Sequence, residues 1–132
     1  MDKARIMVVE DEWIIALNIA GQLTDMGYDV VATAHSGEEA AHKAQELHPD
    51  LVLMDIGLAG KMDGIQAAEK IKAIKDLPVV YLTAYADEKT LARMKISGPS
   101  EYVSKPVKKK QMHDAIELAL HKHKEESFTT TP

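Results

Sequence analysis

The chain has 132 residues, enough for one domain, and 45% of them are hydrophobic, enough for an ordinary core. Its 16 Lys and Arg against 21 Asp and Glu leave a net charge of −5, which argues against a protein held to nucleic acid or to a membrane surface by general charge. The absence of cysteine excludes a disulfide framework, a thiol nucleophile and a thiolate zinc site, and no apolar run approaches the ~20 residues that span a bilayer.

Short β-branched runs alternate with longer segments of helical period, the pattern of βαβ units that build a parallel sheet covered on both faces. The N-terminus MDKARIMVV has too short an apolar run for a signal peptide, so the expected setting is the cytoplasm, and its residues 5–9 form the first expected strand. A helix over 12–26 follows, with Gly27 suited to a left-handed stop. The second strand, 29–34, leads into a helix over 36–47, where Ser36 and Glu39 have the spacing of a capping box. LVLM at 51–54 and VVYL at 79–82 are wholly or almost wholly apolar, as strands buried on both faces should be, and each precedes a helix, over 64–75 and 87–95. Pro99 removes a backbone donor and restricts Ser100, so the fourth helix or the loop after it is expected to be short or irregular. A fifth strand at 101–103 precedes a last helix from 107 to about 122, its inward stripe being Met112, Ile116, Ala119 and Leu120. The rest, EESFTTTP, lacks periodicity, so the expected organisation is one domain over 1–123, a disordered tail over 124–132 and no output domain.

Ligands of an open parallel sheet sit beyond the carboxyl ends of its strands. The residues there are consistent: Glu10-Asp11-Glu12 after MVV, Asp55 after LVLM, Thr83-Ala84 after VVYL, Lys105-Pro106 after EYVS. Asp55 is hardest to explain as architecture, because a carboxylate after four apolar residues lies near the sheet, where an isolated buried charge is costly. A nearby cation would relieve it. Magnesium, or manganese, prefers hard oxygen ligands and retained waters, and Asp11 and Asp55 could supply carboxylates, Glu10 a contact through water and the loop after Asp55 a backbone carbonyl, Gly57 being the candidate. Each piece alone has an ordinary explanation. Acids at a helix start favour the macrodipole, a role that suits Glu12 best, while Thr83 could be a strand-end hydroxyl, Lys105 an exposed turn lysine and Tyr102 a half-buried strand aromatic. His121 and His123, two apart on a helix, face different ways, and the spacing of Gly57, Gly60 and Lys61 fails as a phosphate loop.

Taken in order, V9-E10-D11-E12, L53-M54-D55-I56, D63-G64, L82-T83-A84 and Y102-V103-S104-K105-P106 resemble the receiver domains of two-component response regulators over about residues 4–122. The resemblance implies a doubly wound α/β fold, flavodoxin-like (βα)5, with strand order 2-1-3-4-5. It implies that Asp55 accepts a phosphoryl group from the phosphohistidine of a sensor histidine kinase or phosphotransfer protein. Lys105 and Thr83 would contact phosphoryl oxygens, Ala84 would add a backbone N–H, and Gly57 would leave the group uncovered by a side chain. Thr83 and Tyr102 would carry the switch to the surface of the fourth helix, fifth strand and fifth helix, which an effector protein reads. The Lys105-Pro106 peptide would be cis, aiming the lysine at the site. Gly57 and the bulky Tyr85 stand where side chains tune hydrolysis of the acyl phosphate and pull in opposite directions, so the two residues together set no expectation for its lifetime. Relatives dimerise variously through the same surface, so both a monomer and a phosphorylation-dependent homodimer stay open. Two other readings stand beside this one. A magnesium-dependent phosphohydrolase using Asp55 as nucleophile would want an acid two residues on, where Gly57 stands; a phosphate-independent scaffold would leave the acids, hydroxyl and lysine without purpose.

Overall fold

A computed structural model describes residues 3–84, 87–96 and 101–129, with side chains through residue 125. Among these, strands β1 (Arg5–Val9), β2 (Asp29–Ala34), β3 (Leu51–Asp55), β4 (Val79–Thr83) and β5 (Glu101–Ser104) alternate with helices α1 (Trp13–Asp25), α2 (Gly37–Leu47), α3 (Gly64–Ile74), α4 (Glu88–Ile96) and α5 (Lys109–Thr129). All adjacent strands pair in parallel, in the order β2-β1-β3-β4-β5. The doubly wound, flavodoxin-like arrangement is the one expected.

The two faces follow from strand parity and crossover handedness. Right-handed crossovers put α1 on one face while the chain moves outward from β1 to β2. They put α2, α3 and α4 on the other once the chain recrosses β1 and proceeds to β5. Ile6 and Val8, Leu51 and Leu53, and Val80 and Leu82 pack with Ile19 and Leu23 of α1 and Met112 and Ile116 of α5. The alternate residues, Met7, Val9, Val52, Met54, Val79 and Tyr81, pack with Ala40, Ala67, Ile71 and Met94 of the other three helices. Every residue of β3 and β4 is buried, which is why their apolar runs do not alternate with polar ones. Truncating a central side chain such as the fully buried Leu53 to Ala would cost about 2–5 kcal/mol.

The helix ends refine the expectations. Gly27 adopts φ +94°, and the bonds from the Gly27 N–H to the Thr24 carbonyl and from the Tyr28 N–H to the Leu23 carbonyl, each 3.0 Å, close α1 as a Schellman motif. At α2 the capping box is only half formed. Ser36 Oγ accepts the Glu39 N–H at 3.1 Å, but Glu39 Oε1 accepts from His35, at 2.7 Å, instead of from Ser36. The reciprocal box is at α3, where Asp63 and Gln66 each accept the other's N–H. Glu12 occupies the N-cap position of α1 but its side chain makes no capping bond.

The largest departure is at the C-terminus. Helix α5 continues to Thr129, so residues 124–129, expected in an aperiodic tail, are helical. The apolar stripe does end early, but Lys and Glu extend a helix at little cost in propensity, and His121 pairs with Glu125 one turn on, at 3.1 Å. α4 is a regular nine-residue helix; Pro99 and Ser100 lie outside the described residues. No helix among the described residues is long and apolar enough to cross a membrane.

Candidate functional site

Glu10, Asp55, Thr83 and Lys105 come together because each stands at or one residue past the carboxyl end of a strand. β1 and β3, the neighbours between which the strand order reverses, pair Val9 with Met54, so Glu10 and Asp55 leave the sheet side by side. β4 places Leu82 opposite Asp55 and Thr83 one residue beyond. The Lys105 N–H donates to the Thr83 carbonyl at 2.8 Å, and the Lys105-Pro106 peptide is cis.

The Lys105 ammonium bridges two buried carboxylates, 3.2 Å from Asp55 Oδ1 and 3.3 Å from Glu10 Oε2. Glu10 is fully buried and Asp55 nearly so, at 4% exposure. Burial, then the hydrogen bond and like charge of Asp55, push the Glu10 carboxyl up to about 7, against the opposing pull of Lys105. Burial also works against the charged form of Lys105, but the Asp55 and Glu10 carboxylates outweigh it and hold its pKa above the ordinary lysine value. Further donors steady the acids. The Gly57 N–H reaches Asp55 Oδ1 at 3.1 Å, the Ala59 N–H reaches Asp11 Oδ2 at 3.1 Å, and the Glu12 N–H lies 3.4 Å from Glu10 Oε1.

Oxygens of Glu10, Asp11 and Asp55 lie within 4.8 Å of one another, the one such cluster among the described residues. Glu12 is not part of it. Three converging carboxylates with one ammonium between two of them, all hard donors and two of them buried, fit a divalent cation of the magnesium or manganese type. A cavity of about 630 Å³ at the opposite end of the sheet, lined by Lys3, Asp50, Asp76, Leu77, Glu117 and His123, gathers no comparable set.

Thr83 is buried, whereas Ala84 and Tyr102 are exposed, Tyr102 at 44%; Tyr85 lies outside the described residues. Two participants had no clear sequence signal. Gly64 starts α3 against the strand end itself, its N–H bonded to the Ile56 carbonyl at 2.9 Å, and a Cβ there would stand 2.1 Å from the Asp55 carbonyl oxygen. His35, at the end of β2, places its ring Nδ1 3.1 Å from the Glu10 carbonyl oxygen. Only the D63-G64 pair hinted at the first; nothing local marked the second.

Comparison with known proteins gives a consistent answer. Residues 6–117 match the family model for the response regulator receiver domain. The transcriptional regulatory protein PdtaR of Mycobacterium tuberculosis is 36% identical over 121 residues, covering 92% of this chain and 58% of that protein, so the chain spans little more than half the length of this curated relative. Among solved structures, the signal receiver domain of a modulated diguanylate cyclase from Desulfovibrio desulfuricans G20 superposes with a TM-score of 0.88 at 38% identity, covering 95% of this chain and 99% of that one. A CheY-like receiver domain protein from Methanospirillum hungatei JF-1 does so with a TM-score of 0.85 at 25% identity, covering 95% and 99%.

Proposed function

The chain belongs to the response regulator receiver family, and from that premise we propose that it is a phosphorylation-activated switch whose phosphoacceptor is Asp55. The observation that carries this reading is the single ammonium of Lys105 set between Asp55 and Glu10, with Asp11 alongside. Phosphoryl transfer is chiefly positioning and neutralisation of charge, and these are the groups it needs. A carboxylate oxygen of Asp55 attacks the phosphorus of a phosphohistidine on a sensor kinase or phosphotransfer protein. The P–N bond breaks, an O–P bond forms, and the donor imidazole leaves with the electron pair. Lys105 pairs with the phosphoryl oxygens as they separate from the donor, and Thr83 Oγ1 and the Ala84 N–H donate to them; Gly57 puts no side chain in their way. Glu10, Asp11, Asp55 and the Gly57 carbonyl would hold magnesium or manganese, which when bound supplies further positive charge to the phosphoryl oxygens.

The acyl phosphate carries more negative charge and more acceptors than the carboxylate it replaces. Thr83 is drawn toward it, Tyr102 turns inward from its exposed position, and the surface of α4, β5 and α5 changes shape for an effector protein. An effector protein that reads this surface, and dimerisation through it on phosphorylation, belong to the same proposal.

Incubation with magnesium and acetyl phosphate tests it. Intact-mass measurement should show a labile gain of one phosphoryl group, absent in Asp55→Asn, with a change in the fluorescence of Trp13, the only tryptophan. Continuous turnover of phosphate monoesters would point instead to a phosphohydrolase, and no adduct under any donor to a phosphate-independent scaffold.

A further inference from the structure

Glu10 is gripped at both of its backbone polar atoms. Its N–H donates to the Ala34 carbonyl at 2.9 Å, and its carbonyl lies 3.1 Å from His35 Nδ1. A carbonyl can only accept, so Nδ1 carries the proton of this bond. The histidine is itself braced. Its N–H donates to Glu39 Oε1 at 2.7 Å, Glu39 Oε2 pairs with Lys43 at 2.9 Å, and Lys43 Nζ donates to the Thr33 carbonyl at 2.7 Å. On the other side the ring packs against Trp13 in a tilted pair with centroids 5.0 Å apart. The Glu39 carboxylate thus accepts the His35 N–H and not that of Ser36, its expected partner in the capping box.

The Glu10–Asp11 peptide joins the two residues whose side chains enter the cluster, and its orientation bears on where both point. Glu10 faces inward to Lys105 while Asp11, the next residue, accepts the Ala59 N–H; the peptide between them links the two, and its carbonyl oxygen is the atom His35 holds.

We infer that His35 is a positioning residue for the cation pocket: its Nδ1–H fixes the Glu10–Asp11 peptide and so the convergence of these two carboxylates on Asp55. The inference rests on the metal-assisted phosphoacceptor reading. Calorimetric titration of the full chain with Mg²⁺, without phosphodonor, tests it through two variants. His35→Leu keeps the bulk and removes the donor. His35→Asn keeps an N–H donor bonded to Cγ, where Nδ1 stands. The expected result is a magnesium affinity about five- to tenfold weaker for His35→Leu, the effect of one hydrogen bond once removed from the metal, with His35→Asn within about twofold of wild type. Wild-type affinity in His35→Leu, or equal loss in His35→Asn, would overturn the inference while leaving the phosphoacceptor reading intact. No magnesium uptake by the wild-type chain would overturn both.

Discussion

Replacing Gly64 with Ala sets a methyl group against the backbone that carries Asp55, the proposed phosphoacceptor. The added Cβ falls 2.1 Å from the Asp55 carbonyl oxygen, 2.7 Å from its carbon and 2.7 Å from the Ile56 Cα. Ordinary contact begins at 3.4 Å, so about 1.3 Å must be found, and because all three atoms are backbone no rotamer change can supply it. Either α3 backs away or the end of β3 shifts. Backing away breaks the 2.9 Å bond from the Gly64 N–H to the Ile56 carbonyl. Overpacking of this kind costs about 1–3 kcal/mol and the lost buried bond about 1 kcal/mol, against the gain of about 0.5–1 kcal/mol that Gly→Ala ordinarily brings within a helix. The expected net loss is about 1–3.5 kcal/mol. Gly21, inside α1 with nothing within 4 Å of its Cβ position, is the control: Gly21→Ala should stabilise by about 0.5–1 kcal/mol. Urea denaturation followed by Trp13 fluorescence, with unchanged slopes, measures both. A Gly64→Ala variant as stable as wild type would refute the close approach. A destabilised one that still took up phosphoryl from acetyl phosphate at the wild-type rate would show that the Asp55 carboxylate does not feel the displacement of its own peptide.

Two further outcomes follow from the helix ends around α2. His48 caps that helix in the left-handed region at φ 50°, so His48→Gly should raise the thermal midpoint, by the equivalent of about 1 kcal/mol, while its carbonyl continues to accept from Arg5. The Glu39 carboxyl is held below its ordinary value, first by the His35 N–H and then by Lys43. The folded state therefore releases this proton more readily than the unfolded chain, so the contribution is complete above the unfolded carboxylate range and fades as the pH falls through the folded value. Because the side chain is about a third exposed, Glu39→Gln should cost no more than about 0.5–1 kcal/mol at pH 7 and clearly less at pH 3, read from denaturation midpoints. A loss that grew on acidification would contradict the assignment.

Much of the molecule is written locally. The apolar runs of β3 and β4 announce strands buried on both faces, and the abrupt change to Asp55 and to Thr83 marks where the sheet ends and chemistry begins, because period and polarity act over neighbouring residues. Gly27 likewise carries its own stop signal. Among three consecutive acids, local pattern favours Glu10 and Asp11 for the cation and Glu12 for the helix start; what it cannot give is the placement that turns them inward. Glu12 is chemically as good as Glu10, yet the β1–β3 register and the grip of Ala34 and His35 send Glu10 to a lysine 95 residues away and leave Glu12 outside the cluster. Glu39 and α5 are different cases, refinements within local range: His35, one residue before Ser36 and four before Glu39, takes the carboxylate that the capping pattern gives to Ser36, and α5 outlasts its apolar stripe because backbone propensity needs no partner face. Residue types and their order are local properties; convergence of side chains from β1, β3, β4 and β5 on one point is set by strand pairing and packing, which only the folded chain possesses.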